Sequence, residues 1–247
     1  MPAPTRPETC FARHGLSTRG LRPAGTGFSN EVWLADAAVL RLGRATRHAF
    51  EARVACGAWA AGVRTARPLF WGHGYGLWER LDGEVPAQVM PGVWAAVLDD
   101  LERLQAGPPL PRPRRVAPWR GDPAWIGRTQ AQAAWTPGER TELERLLGTP
   151  YPVATPVFIH GDVYRLNLLV DAGGRYAGLL DWGLAGWSAL EAEVAVMDDP
   201  APALARWGRR LDPELLRRAR LKLLLEVAGA GRVPFGAVQA LLDGAPH

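Results

Sequence analysis

Asp162, Asn167 and Asp181 have the types and spacing to do chemistry together. Asp162 and Asn167 stand five apart, and Asp181 follows an apolar run, a turn signal and a second apolar run. Such a set suits a phosphate ester. One carboxylate can orient and deprotonate a hydroxyl, and hard oxygen ligands can hold the magnesium ion that neutralises a polyphosphate. The stretch from Val157 to Gly183 reads VFIHGDVYRLNLLVDAGGRYAGLLDWG. Its apolar runs at 157–159, 168–170 and 176–180 are of strand length, and Asp171-Ala-Gly-Gly is a turn signal. Strand, loop, strand, turn, strand is therefore predicted. That puts His160, Asp162, Asn167 and Asp181 at strand ends, where a scaffold can aim side chains into one cleft. The same residues also have ordinary structural uses: Asp162 as a turn cap, Asn167 as a backbone partner and Asp181 as a strand end. His160 reads as a residue that holds the loop by hydrogen bonds rather than one that touches substrate.

An Asp, an Asn five residues later and a second Asp after a hairpin is the kinase order of base, metal ligand and metal ligand. With His-Gly-Asp at 160–162 and Asp-Trp-Gly at 181–183, the stretch resembles the aminoglycoside phosphotransferase and choline kinase-like family of small-molecule kinases. The resemblance implies Asp162 as base, Asn167 and Asp181 as Mg2+ ligands, and ATP as phosphate donor. Arg165, three residues after Asp162, is a candidate for reaching the γ-phosphate, with a surface arginine as the plainer reading.

Upstream, Arg22-Pro-Ala-Gly-Thr-Gly-Phe-Ser-Asn-Glu-Val-Trp-Leu joins two expected strands. Gly25 and Gly27 let the backbone approach a ligand, and Thr26, Ser29 and Asn30 add polar contacts suited to phosphates. It is similar to the family's nucleotide-binding loop. On the next strand, Ala38–Leu42, kinases carry a lysine that contacts the α- and β-phosphates and pairs with a helix glutamate. This chain has Arg41, which is planar and bidentate where lysine is a point charge. Its expected partner is Glu51, the one acidic residue between Asp36 and Glu79, on a helix starting near Thr46 with Phe50, Val54, Gly57, Ala58 and Ala61 on its apolar face. Two strands, 68–71 and 76–78, lead to a polar stretch at 79–84. The resemblance makes this a hinge that holds adenine, through the Glu79 carbonyl and the Leu81 N–H, with Trp78 lining the pocket behind.

The rest is mainly helical. A first helix is expected over 5–14. Gly92 to Gln105 is amphipathic, with Val93, Val97, Leu101 and Leu104 on one face. A proline- and arginine-rich loop spans 107–123, and Thr136-Pro-Gly-Glu139 is a capping box that opens a helix to Leu147. Ser188 and Glu191 read as another capping box, and Glu193 matches the acidic residue that the family often places in this helix. Two helices, from Asp212 to about Gly229 and from Pro234 to Leu242, close the chain. The fold implied is α+β and protein kinase-like: an N-lobe at 1–81 of antiparallel sheet plus helix that binds nucleotide, and a larger, mainly helical C-lobe at 82–247 with the catalytic hairpin and acceptor site.

Composition narrows the function. The 247 residues are 47% hydrophobic, enough for a large core. No apolar run approaches membrane-spanning length and the N-terminus lacks the hydrophobic core of a signal peptide, so a cytoplasmic protein is expected. Cys10 and Cys56 suggest neither a disulfide framework nor a metal site. The net charge of +4 and pI near 9.6 invite a nucleic-acid reading. However, the 28 arginines are spread along the chain and their densest cluster, at 112–115, has no interleaved aromatics, so no nucleic-acid partner is expected. The expected activity is transfer of the ATP γ-phosphate to a small-molecule hydroxyl. A catalytically silent nucleotide-binding protein is the alternative, and the oligomeric state stays open. Acidic and basic residues balance in the C-lobe, whereas Trp119, Trp125, Trp135, Trp182, Trp187 and Trp207 offer aromatic faces. The acceptor expected is therefore neutral or singly cationic rather than a polycationic aminoglycoside.

Overall fold

The computed structural model describes residues 6–26, 31–43, 48–114, 116–120, 126–128 and 135–228. Five short strands make up the sheet: β1 (Arg22–Thr26), β2 (Glu31–Leu34), β3 (Ala38–Leu42), β4 (Pro68–Gly72) and β5 (Tyr75–Glu79). They pair antiparallel in the order β1-β2-β3-β5-β4. In this register Leu40 lies between Trp33 and Leu77. Leu40 and Leu77 are fully buried with Cys10 and Phe11 of α1 (Pro7–Arg13), Ala35, Ala38 and Tyr75. Each such aliphatic side chain contributes about 2 kcal/mol by leaving water.

Helix α2 (His48–Ala60) buries His48, Glu51, Ala52, Val54, Ala55 and Ala58. Of the expected face Val54 and Ala58 are buried, whereas Phe50, Gly57 and Ala61 are only half-buried, so the buried stripe is rotated from it. Two polar residues sit in the buried stripe, which is why the apolar pattern alone misplaced it. Helix α3 (Pro91–Ala106) buries Val93, Val97, Leu101 and Leu104 as expected. It also buries Asp100 completely, where the Arg64 backbone N–H and guanidinium and Arg103 meet its carboxylate.

The chain divides into two compact units, Met1–Pro111 with Asp162–Ala185 and Arg112–Gly161 with Gly186–His247. The division differs from the one expected at 81/82. The cause lies in the hairpin β7 (Leu168–Val170) and β8 (Tyr176–Leu179), which follows β6 (Val157–Ile159) in the chain. On one edge Glu84 and Val170 exchange two backbone hydrogen bonds of 2.9 Å; on the other, Leu179 N–H donates to Arg64 O at 2.8 Å. Gly83 makes the first edge possible, since its φ is +151° and a Cβ there would lie 2.7 Å from Val170 O. The hairpin is thus hydrogen-bonded to the segments that flank the five-stranded sheet.

In the second unit β6 pairs with β9 (Gly186–Ser188) beside α4 (Pro137–Leu143), α5 (Leu190–Ala195), α6 (Ala201–Trp207) and α7 (Pro213–Ala228). The Thr136–Glu139 capping box forms in both directions. Beyond Leu143 the helix widens into a π turn at Glu144–Gly148, and the buried Arg218 guanidinium donates to Leu146 O at 2.7 Å. The expected Ser188–Glu191 box is absent: Ala189 is the N-cap and makes no side-chain cap bond. Glu191 is instead buried and accepts from the N–H of Asp212, whose own carboxylate caps α7. No described helix is long and apolar enough to cross a membrane. The expected last helix, 234–242, lies outside the described residues.

Candidate active site

Asp162, Asn167, Asp181, Arg41 and Glu51 all belong to the first compact unit. Two local devices hold the first pair. Residues 165–167 make one 3-10 turn, bringing the Asn167 side chain back onto the loop. Its Nδ2 donates to Asp162 O at 2.9 Å and to Asp162 Oδ2 at 2.8 Å. Because both partners are acceptors, the amide nitrogen must face Asp162 and the amide oxygen must point away. The Asn167 carbonyl in turn accepts from Leu180 N–H at 2.8 Å, tying the loop to the residue before Asp181. Burial pushes the Asp162 carboxyl above the usual aspartate range, and the nearby Asp181 charge adds to this, while the Asn167 hydrogen bond opposes it.

Preceding Asp162, Gly161 has φ +82° and its N–H donates at 3.0 Å to Glu193 Oε2. His160 and Glu193 are fully buried. Glu193 thus anchors the backbone just before Asp162, and His160 lies buried at the end of β6. Glu193, rather than Glu191, is the acidic residue of α5 that engages this backbone.

Asp181 closes the hairpin in the left-handed region, with φ +63° and ψ +83°. For a residue with a Cβ this conformation costs on the order of 1–3 kcal/mol and persists only where surroundings enforce it. Here Gly183 N–H donates to Asp181 Oδ1 at 3.3 Å, and the Arg41 Nη2 donates to Oδ2 at 3.0 Å. Arg41 Nη1 donates to Glu51 Oε2 at 2.9 Å. One guanidinium thus bridges two carboxylates that are distant from each other in the chain. The expected Arg41–Glu51 pair is present, and its bond to Asp181 was not foreseen. Gly183 leaves room for the arrangement, since a Cβ would stand 3.2 Å from both Asp181 Oδ1 and Glu51 Oε1. Trp182 is fully buried, its Nε1 donating at 2.8 Å to Thr65 Oγ1, which itself donates to Leu179 O.

Among the other expected contacts, Arg165 Nη1 donates to Pro86 O at 3.3 Å. Glu79 ends β5, with its N–H on Arg67 O. Leu81 packs on the hairpin, where a Cβ on Gly178 would strike its Cδ1 at 2.6 Å. Trp78 and His48 are buried, and Trp78 Nε1 has no hydrogen-bond partner among the described residues. Burial, aided by the Arg41 charge, pushes His48 below its ordinary value; the Gly43 backbone and Asp181 oppose this. Sequence reasoning passed over His48 because histidine in a helix carries no signal of its own. Gly25 and Thr26 end β1, while Gly27, Ser29 and Asn30 lie outside the described residues.

A divalent ion fits the donors present. Asp181 offers a carboxylate and Asn167 an amide oxygen, both hard ligands. No group of three or more His, Cys, Asp or Glu able to hold a metal occurs among the described residues.

The tryptophans sort clearly. Trp135, Trp182 and Trp207 are buried, and Trp125 lies outside the described residues. Trp119 and Trp187 are half-buried. Phe158 meets Trp187 edge-on at 5.9 Å, and the Arg112 guanidinium lies 5.7 Å from the Trp187 ring centre.

The chain is similar along nearly its whole length to several solved structures. A macrolide 2'-phosphotransferase from Brachybacterium faecium, as apoenzyme, shares 21% identity with a TM-score of 0.55, over 96% of this chain and 97% of that one. A putative fructosamine-3-kinase from Thermobifida fusca shares 18% identity with a TM-score of 0.63, over 94% and 98%. The streptomycin-ATP-APH(2")-IIa ternary complex shares 11% identity with a TM-score of 0.60, over 97% and 96%. These likenesses show a common, protein kinase-like α+β fold. No curated protein matches the chain significantly. Residues 20–230 match the model of the phosphotransferase enzyme family, and the chain belongs to that family.

Proposed function

We propose that this protein transfers the γ-phosphate of ATP to a hydroxyl of a small molecule. The observation that carries the reading is the joining of Asp162 to Asn167 and of Arg41 to both Glu51 and Asp181 within one compact unit. Asp162 accepts the hydroxyl proton on its carboxylate as the acceptor oxygen bonds to Pγ and the bond from Pγ to the β,γ-bridging oxygen breaks, releasing ADP. Its raised pKa makes it a stronger base than an ordinary aspartate. Asn167 orients that carboxylate and, with Asp181, supplies oxygens for Mg2+. The ion, when bound, neutralises charge on the phosphates. Arg41 would contact the α- and β-phosphates, and Arg165 would be the arginine for the γ-phosphate. Gly25, Thr26, Gly27, Ser29 and Asn30 would hold the phosphates, and the Glu79 carbonyl, the Leu81 N–H and Trp78 would hold the adenine.

For the acceptor we favour a neutral or singly cationic alcohol. The support lies in the sequence: acidic and basic residues balance over 84–150 and 184–247, where a polycationic acceptor would call for an acidic excess, and the same stretches are rich in tryptophan. A second reading, nucleotide binding without turnover, draws on the Arg41–Asp181 bond, which occupies an oxygen of a proposed metal ligand. Measuring ADP release with Mg2+ against a panel of choline-, thiamine- and macrolide-like alcohols and aminoglycosides separates these. Turnover of the neutral and singly cationic compounds is expected. Efficient turnover of aminoglycosides alone overturns the acceptor class, and nucleotide binding without turnover of any compound favours the second reading.

A further inference from the structure

We propose that Arg41 is a guanidinium latch that competes with the divalent cation for Asp181. This rests on the phosphotransfer reading above, which makes Asp181 a metal ligand. The latch itself is visible in the bonding. Nη1 and Nη2 of one planar fork engage Glu51 Oε2 at 2.9 Å and Asp181 Oδ2 at 3.0 Å. A guanidinium cannot lose its proton in the physiological range, so this positive charge stands at Asp181 at every working pH. A divalent ion reaching the Asp181 carboxylate must therefore displace the guanidinium or share the carboxylate with it.

The backbone determines which part gives way. Arg41 is the penultimate residue of β3, paired with Val32 of β2 and Gly76 of β5, so its main chain is held on both sides. Asp181 is held in the left-handed region with its Oδ1 on Gly183 N–H. Glu51, almost wholly buried on α2, has a side chain only 6% exposed. The exposed end of the set is Asp181, at 40% of its side chain. Release is thus a swing of the Arg41 side chain about its Glu51 bond, with the sheet and helix unmoved. Glu51 keeps the guanidinium paired through that swing, which avoids stranding a charge in a buried place. The freed Nη2 is then the donor available for phosphate.

Removing the latch should tighten cation binding, and removing its anchor should loosen it. The guanidinium charge opposes a cation at Asp181, and the 40% exposure of that side chain screens much of the effect. A change of about tenfold is therefore expected. Mn2+, which reports its own free concentration by electron paramagnetic resonance, is titrated into nucleotide-free wild type, Arg41→Met and Glu51→Gln. Arg41→Met should bind Mn2+ about tenfold more tightly than wild type. Glu51→Gln, which leaves the whole guanidinium charge to Asp181, should bind it about threefold more weakly. Unchanged or weaker binding in a folded Arg41→Met overturns the latch. If that variant does not fold, Glu51→Gln decides, and equal or tighter binding overturns the proposal. Mn2+ titrated with ADP present keeps the two readings apart. Tight Mn2+–ADP binding with no effect of either substitution defeats the latch alone, whereas no Mn2+ binding by wild type even with ADP defeats the metal assignment and the latch with it.

Discussion

Replacing Asp162 with asparagine should move rate and stability in opposite directions. The geometry survives the substitution, because the side-chain oxygen of the new amide can accept from Asn167 Nδ2 as the carboxylate does at 2.8 Å. What is lost is the charge and the ability to take a proton. A positioned general base contributes about 10²- to 10⁴-fold, equivalent to about 3–5.5 kcal/mol of barrier, so kcat should fall by that factor with the Kd for Mg2+–ATP unchanged. Stability responds to the other consequence. The folded state raises the pKa of this carboxyl, so folding takes up a proton between the unfolded and folded values, and stability falls as pH rises through that window. Above it the wild type carries the full penalty of an ionised, half-buried group beside Asp181, and the amide does not. Asp162→Asn should therefore be at least as stable as wild type at pH 7.5, and lose that advantage on acidification. Coupled-enzyme kinetics, calorimetric titration of Mg2+–ATP and urea unfolding at two pH values measure all three. A rate loss under tenfold, a loss confined to KM, or a destabilised variant at pH 7.5 would refute the reasoning.

Asp181→Ala should abolish the magnesium-dependent part of nucleotide binding: ATP should bind equally with Mg2+ and with EDTA, and a Mg2+ enhancement as large as wild type would contradict the ligand assignment. His48 predicts an acid-sensitive fold. Because burial holds its pKa below the ordinary 6.5, the unfolded chain binds the proton first as pH falls through about 6.5, and stability drops until the folded value is passed. His48→Gln should flatten the unfolding free energy between pH 7.5 and 5.5, and equal slopes in the two proteins would exclude His48 as the source.

What the sequence determined by itself is local. Asp162 and Asn167 lie five apart across one 3-10 turn, so their spacing nearly dictates the contact. Arg41 and Glu51 are ten apart across a strand-to-helix connection, and residue type singled out the pair without coordinates. The amphipathic face of α3 and the Thr136 capping box were legible for the same reason: period and cap chemistry act within a few residues. Tertiary structure decided the rest. Asp181 meets Arg41 across 140 positions because the hairpin is bonded at both edges to segments flanking the sheet, and no local pattern encodes that docking. The buried stripe of α2 includes His48 and Glu51, which an apolar count leaves out, since what buries them is their placement, His48 beside Gly76 and Glu51 beside Arg41 and Gly183. Glu191 and Glu193 stand two apart on one short helix. Only the approach of Asp212 to one and of Gly161 to the other distinguishes their roles, because a hydrogen bond is specified by where its partner arrives and not by the acceptor's own sequence.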